Sequence, residues 1–484
     1  MNWILVIKII ASLNAVLGAT MLVPLLIALY DQSGDITAFA IALPLTLLVN
    51  GLAYLLTRKE ESDLSHREGF LTVTLAWVSA CFFSSLPFYF AGTFGGFTNA
   101  YFEAVSGLTT TGSTILTDVG SMPRATLFWR SIIQWYGGMG IIVLSLAVLP
   151  LLGVGGMQIF KAEVPGPTAD KIQPRVRDTA LLLWKVYLLL TVMECLLLWA
   201  GGFNLFDSIC HSFTTLATGG FGTRSDSLMS VGPVIEMTVT LFMFLAGVNF
   251  TLHYLALTGR ARAYLKDGEF RVYLSIVVLG TLVLALILRV TETYNDIFTA
   301  LRYAVFQTLA LVTTTGYNSA DFKLWEVTAP LATMILFLFM FTGGMAGSTA
   351  GGIKVVRIWL LLKHGYRELF RLIHPRAVRH VKVGGKVVGE NVLDAVVGFI
   401  VLYMLLFVIA TMILSLYGHD FVTSVSAVAS CIGNIGPGLG TVGPVSNFNH
   451  LQDVVKWVLV FCMVLGRLEI YTVLLLLVPE FWKK

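Results

Sequence analysis

The chain has 484 residues, of which 56% are hydrophobic and only 12% charged, and its formal net charge is +4. Its mean hydropathy is +0.82. A soluble globule cannot bury that much apolar surface, so the composition excludes a soluble enzyme or a nucleic-acid-binding domain. It implies an all-α polytopic membrane protein, counted in spans of about 20 apolar residues.

In chain order, residues 3–30 and 37–57 form an opening helix pair joined by the polar turn 31–35, and the expected N-terminal unit is 1–66. No small-residue cleavage site follows the first apolar run, which is read as a retained span. Four units follow at 67–155, 156–262, 263–386 and 387–484. Each holds a long span, a segment too short to cross, a Thr/Gly-rich stretch and a second span. The long spans fall at 70–92 and 125–151, 179–201 and 229–257, 271–290 and 328–362, and 391–417 and 452–478. The short segments fall at 98–108, 204–216, 295–311 and 420–431. With the opening pair this gives ten transmembrane helices, the last eight in pseudo-fourfold order around one central pore.

The repeated stretches are Gly107-Leu108-Thr109-Thr110-Thr111-Gly112, Thr215-Leu216-Ala217-Thr218-Gly219-Gly220, Leu311-Val312-Thr313-Thr314-Thr315-Gly316 and Cys431-Ile432-Gly433-Asn434-Ile435-Gly436. A single copy could be a helix C-cap followed by a turn. Four copies, each after a sub-span helix, argue otherwise. Extended backbone at membrane depth is tolerated only where it is buried in protein or lines an aqueous cavity. Stacked carbonyls with Thr hydroxyls can replace the water shell of an alkali cation without placing a full charge in the path. Glycine allows consecutive carbonyls to point one way, and the C-terminal dipole of each short helix favours a cation.

Lys and Arg concentrate between the repeats: Lys161, Lys171, Arg175 and Arg177, then Arg260, Arg262, Lys266 and Arg271, then nine bases in 354–386 against the single acid Glu368. By the positive-inside rule these loops and both termini are cytoplasmic, and the Thr/Gly stretches open outward. Cys81, Cys195, Cys210, Cys431 and Cys462 stand singly and read as small buried hydrophobes. His211, His253 and His419 read as ordinary polar side chains, and Glu103 and Asp207 as favourable charges near the starts of short helices. Gly153-Val154-Gly155-Gly156 lacks the Lys and strand of a nucleotide loop.

Two features lie beyond the repeated stretches. The run Thr342-Gly343-Gly344-Met345-Ala346-Gly347-Ser348-Thr349-Ala350-Gly351-Gly352 cannot be a stiff helix, since glycine costs about 1 kcal/mol per interior position. It is either a kink with close helix packing or a re-entrant loop obstructing the pore. Arg467 falls near mid-depth of the last span, where an unpaired arginine costs at least ~2.5 kcal/mol. It either pairs with an acid such as Glu194, Glu236 or Glu469, or faces the pore below the Thr/Gly stretches.

Taken together, the four tandem units, the TTTG, ATGG, TTTG and GNIG series and the helix pair resemble the superfamily of K⁺ transporters, specifically the bacterial Trk-type (TrkH/TrkG) membrane subunits, over essentially the whole chain. The resemblance implies K⁺ uptake, with Rb⁺ accepted, across a bacterial inner membrane, and no enzymatic activity or bound cofactor. It implies a selectivity filter of Thr110, Thr111, Gly112, Thr218, Gly219, Gly220, Thr314, Thr315, Gly316, Asn434, Ile435 and Gly436, with K⁺ held there. Glycine at all four final positions resembles the K⁺-selective members, whereas Na⁺-preferring plant relatives carry serine at the first. The resemblance further implies that Gly343, Gly344, Met345, Ala346, Gly347, Ser348, Thr349, Ala350, Gly351 and Gly352 act with Arg467 as a gate. It implies a homodimer and a cytoplasmic nucleotide-binding TrkA-like regulatory subunit. The alternative is a Na⁺-coupled Ktr-type or less selective monovalent cation transporter of the same fold.

Overall fold

In the computed structural model, residues 1–60, 62, 64–147, 176–384 and 386–483 are described. The Gly153–Gly156 run and the bases Lys161, Lys171 and Arg175 lie outside them. Six helices are long and apolar enough to span a membrane: Trp3–Asp31, Ile36–Thr57, Arg67–Phe90, Asp178–Ala200, Gly268–Val290 and Glu390–Leu416. The number rises to eight if each of two bent helix pairs is counted as one span. The other two expected spans correspond to the helix Arg124–Ala147 and to a split element, Pro330–Phe339 and Val355–Ile373.

The opening pair docks on the first repeat. Gly18 lets its helix approach Thr46 so closely that a Cβ there would lie 2.7 Å from the threonine methyl, small-residue packing of the kind membrane helices use in place of a hydrophobic drive. Asp35 accepts from the N–H and hydroxyl of Thr126 at 3.1 and 2.9 Å.

The four short helices are Phe97–Leu108, Leu205–Leu216, Ile297–Val312 and Phe421–Gly433. Three start at side-chain caps. Asn204, Asp296 and Asp420 accept from the N–H groups of Asp207, Thr299 and Thr423 at 2.7, 2.9 and 3.0 Å, satisfying donors that a helix N-terminus leaves orphaned. The first has Gly96 in that place, without a side-chain cap. All four are mostly buried between the longer helices.

The expectation of unbroken second spans at 229–257 and 452–478 is corrected. Pro233–Ala246 meets Phe250–Leu257 at 101°, and Asp453–Arg467 meets Tyr471–Leu477 at 110°. In the first break, Asn249 caps the new helix by accepting from Thr251 N–H at 2.8 Å. In the second, Glu469 and Ile470 take positive φ values of 61° and 32°. The expected interruption of the third repeat's second span is present as the segment between Phe339 and Val355. A small antiparallel pair, Lys382–Val383 with Lys386–Val387, lies in the linker before the fourth repeat.

Candidate functional site: a four-walled ring

After each short helix the backbone takes the same course. Thr110, Thr218, Thr314 and Asn434 have φ between 53° and 57°, and the glycine two residues later is again left-handed. Asparagine tolerates that conformation better than most residues, so Asn434 preserves the turn where threonine is absent. In the first, second and fourth copies the residue between them donates its N–H back into the helix, from Thr111 to Ser106 O, Gly219 to Thr214 O and Ile435 to Ser430 O, at 2.8, 2.8 and 2.9 Å. In the third, Gly316 N–H donates to Ala310 O at 2.9 Å.

The four stretches close into a ring. A Cβ on Gly112 would sit 2.2 Å from Gly219 O, one on Gly220 2.0 Å from Thr315 O, one on Gly316 1.7 Å from Ile435 O, and one on Gly436 2.9 Å from Thr111 O. Each glycine therefore abuts the next repeat's backbone, and the fourth returns to the first. A second ring of contacts binds the chain beyond the glycines. Ser225 Oγ accepts from Val119 N–H at 2.9 Å, and Leu228 N–H donates to Asn318 O at 3.0 Å. Gly440 N–H donates to Glu326 at 3.2 Å, and Phe448 N–H to Thr114 O at 2.9 Å. On this rim the Ser225 hydroxyl, donating at 2.8 Å, holds the Asp118 carboxyl below its usual range. A cavity of about 90 Å³ opens on the rim side, lined by the four glycines together with Arg130 and Arg224.

Glu103 lies in the second turn of its short helix, which corrects the expectation of a charge at the helix start. It is fully buried, paired with Arg130 Nε at 2.8 Å, and accepts from Thr114 Oγ1 and Ile115 N–H at 2.9 Å each. It thus holds the strand after Gly112 against its own helix. Breaking one side of a buried pair costs about 3–5 kcal/mol, whereas replacing both partners by apolar groups is often neutral. Glu103→Ala should therefore lower the melting temperature of the purified protein more than Glu103→Met combined with Arg130→Met. Asp207 does lie in the first turn of its helix, where it accepts from Thr223 Oγ1 at 2.7 Å.

On the other side of the ring the segment 343–352 crosses beneath it. Gly351 N–H donates to Thr314 Oγ1 at 2.7 Å, and a Cβ on Gly351 would lie 2.5 Å from Gly433 O. Thr349 Oγ1 donates to Leu216 O and Ala246 O at 2.9 and 3.2 Å. Met345 N–H donates to Gly247 O, Phe250 N–H to Gly347 O, and Ala346 N–H to the buried Glu269, at 2.9, 3.1 and 2.8 Å. Ser348 is turned inward onto Met345 O, while Gly343 bonds Ile353 O and Gly352 takes a left-handed φ of 63°. Lys354 Nζ reaches back to Ala350 O.

Arg467 is fully buried in the same layer. Its guanidinium donates to Thr349 O at 2.8 Å and to Gly137 O at 3.0 Å, joining the loop to the first repeat. None of the three acids considered as partners pairs with it. Glu236 pairs with Arg302 and Glu469 with Arg357, while the buried Glu194 makes no ion pair among the described residues. Sequence reasoning missed Gln134, and it named Asn434 for its backbone without the ties its side chain makes between walls. Gln134 donates to Gly219 O at 2.7 Å and accepts from Phe221 N–H at 3.1 Å, and Asn434 Nδ2 donates to Thr111 Oγ1 and Met463 O at 2.9 Å each. A lone amide on an apolar helix gives no signal of its partner.

Residues 35–484 match the family model TrkH, described as cation transport protein. The chain belongs to the TrkH family. Family members transport ions and are not enzymes, and this chain is a multi-pass membrane protein. It is 42% identical over 485 residues to the Trk system potassium uptake protein TrkH of Vibrio parahaemolyticus, covering 99% of each chain. It is 40% identical over 481 residues to that of Escherichia coli K12, again covering 99% of each, and 36% identical over 469 residues to TrkG of the same organism, covering 96% and 95%. The crystal structure of the potassium transporter TrkH from Vibrio parahaemolyticus superposes with a TM-score of 0.92 at 39% identity, covering all of both chains. The helical TrkH-like fold is therefore shared end to end.

Proposed function

We propose that the protein takes up K⁺ across a bacterial inner membrane through one pore formed by its four repeats. The observation that carries this reading is the closed ring of glycine contacts from Gly112 to Gly219, Gly220 to Thr315, Gly316 to Ile435 and Gly436 to Thr111. The names of the TrkH and TrkG relatives support K⁺ as the cargo. In this reading the chain crosses ten times, with two broken spans and one split span beside the continuous ones. Both termini are cytoplasmic, and the rim cavity faces outward.

K⁺ loses water at the rim and is met by the backbone oxygens of Thr110-Thr111-Gly112, Thr218-Gly219-Gly220, Thr314-Thr315-Gly316 and Asn434-Ile435-Gly436. The short helices end at the ring, so their C-terminal dipoles stabilise a cation there. Residues 343–352 and Arg467 lie across the exit and act as the gate. The membrane potential supplies about 2.3 kcal/mol per charge per 100 mV, so inward movement needs no hydrolysis by this chain. Rb⁺ follows the same path. The protein works as a homodimer under a cytoplasmic TrkA-like nucleotide-binding subunit, for which the basic linker 354–386 offers a docking site.

The test is influx of radiolabelled Rb⁺ into proteoliposomes, competed by K⁺, Na⁺ and Li⁺. K⁺ should compete and Na⁺ should not, and Gly112→Ser, whose Cβ meets Gly219 O, should relax that preference. Equal competition by Na⁺ would assign the chain to the less selective transporters of this fold.

A further inference from the structure

The four walls are not held in the same way. Glu103 braces the first from its own helix, Gln134 braces the second, and Ser430 braces the fourth by donating to Gly436 O at 2.7 Å and accepting from Gly436 N–H at 3.0 Å. In the third repeat, Gln307 stands nine residues before Gly316, as Glu103 stands before Gly112. Yet both head-group atoms of Gln307 are buried without a hydrogen-bond partner among the described residues, as are the hydroxyls of Thr308 and Ser319. The third helix does not reproduce the brace of the first.

The third wall is fastened sideways instead. Tyr317 follows Gly316 directly and is fully buried. Its hydroxyl bonds the Thr214 hydroxyl, lies 3.2 Å from His211 Nδ1 and reaches Phe221 O at 3.5 Å. Thr214 is the residue whose carbonyl accepts the Gly219 and Gly220 N–H groups that turn the second wall. One phenol therefore links the residue after the third glycine to the residue that closes the second turn.

We propose that Tyr317 is a specificity-determining positioning residue, whose hydroxyl fixes the spacing of the second and third walls and so favours K⁺ over the smaller Na⁺. The inference rests on the pore reading above. Selectivity in such filters depends on the number and placement of the coordinating carbonyls, and a wall free to move inward would accommodate Na⁺ at lower cost. The strut is buried, and without it the Thr214 hydroxyl is left bonded only within its own helix, to Cys210 O at 3.0 Å and His211 O at 3.2 Å.

The experiment measures Rb⁺ influx into proteoliposomes and the ratio of Na⁺ to K⁺ concentrations that halve it. Tyr317→Phe should lower that ratio by about fivefold, the scale of one net hydrogen bond. Thr214→Val should give the same shift, and the two together no more than either alone. Tyr403→Phe, which removes a buried hydroxyl with no hydrogen-bond partner among the described residues, should leave the ratio unchanged. An unchanged ratio in both Tyr317→Phe and Thr214→Val, with the parent selective, overturns the strut and leaves the pore reading intact. If Tyr317→Phe does not fold, Thr214→Val decides alone. A parent that does not prefer K⁺ overturns the strut and assigns the chain to the less selective transporters of this fold.

Discussion

Gly316→Ala should abolish selective Rb⁺ influx, and more completely than the same change at any other ring glycine. Its Cβ would fall 1.7 Å from Ile435 O and 2.9 Å from Pro437 Cδ. Neither neighbour is the flexible end of a long side chain, so the backbone of one wall must move. The residue also has φ of +77°, where a side chain adds about 1–3 kcal/mol of strain. Misplacing a positioned group by about 1 Å commonly costs enzymes a hundredfold in rate, and a coordinating carbonyl displaced that far should cost transport on the same scale. The ring orders the damage. Alanine would meet backbone oxygen at 1.7 Å at Gly316, 2.0 Å at Gly220, 2.2 Å at Gly112 and 2.9 Å at Gly436, so residual influx should rise in that order. Gly365→Ala, with nothing within 4 Å of its Cβ, serves as control and should transport like the parent. Influx that does not follow the order, in variants with parental melting temperatures, would mean that the ring does not set the path.

The ring was legible in the sequence because a threonine or asparagine before a glycine, after a helix too short to cross, has few uses in a bilayer. The short helices at 98–108, 204–216, 295–311 and 420–431 match the observed ones to within two residues at each end. Even the divergent fourth stretch was placed, since Asn434 supplies the left-handed turn that its neighbours obtain from threonine. The breaks at Gly247 and Leu468 were not legible. Residues 229–257 and 452–478 read as continuous apolar helices, and their bends are set by neighbours: Gly247 O receives Met345 N–H from the crossing loop, and a Cβ on Gly466 would lie 2.0 Å from Ile432 O. Charge partners were equally hidden. Glu103 meets Arg130 and Glu469 meets Arg357, pairings that depend on how the repeats wrap and that no local pattern encodes. The Gly-rich run showed that a helix must fail there, but not that Thr314 would receive its Gly351 N–H.

Arg467→Gln should raise Rb⁺ influx if the residue acts in the proposed gate, because its side chain would then present two obstacles to a cation. The first is charge. Arg467 makes no ion pair among the described residues and sits in the layer beneath the ring, whereas the nearby Arg357 is neutralised by Glu469. A unit charge ~10 Å from a passing cation, at an effective dielectric of 20, raises its energy by ~1.7 kcal/mol, which corresponds to roughly fifteenfold in rate. The second is mechanical, since the guanidinium joins Thr349 O of the crossing loop to Gly137 O of the first repeat. Glutamine removes the charge and is too short to hold both carbonyls. Deleting 344–351 removes the other end of the same latch. If loop and arginine form one barrier, the deletion and Arg467→Gln should each raise influx, and together they should give less than the product of the two effects. Multiplicative effects would separate the charge from the latch, and leave Arg467 acting on the ion alone. Unchanged influx in both variants would remove the gate from this layer. In Arg467→Gln the Na⁺ to K⁺ competition ratio should stay at the parental value, because that side chain bonds no filter residue, and a shift there would place discrimination below the ring. The deletion also takes the Gly351 N–H from Thr314 Oγ1 and does not carry this test.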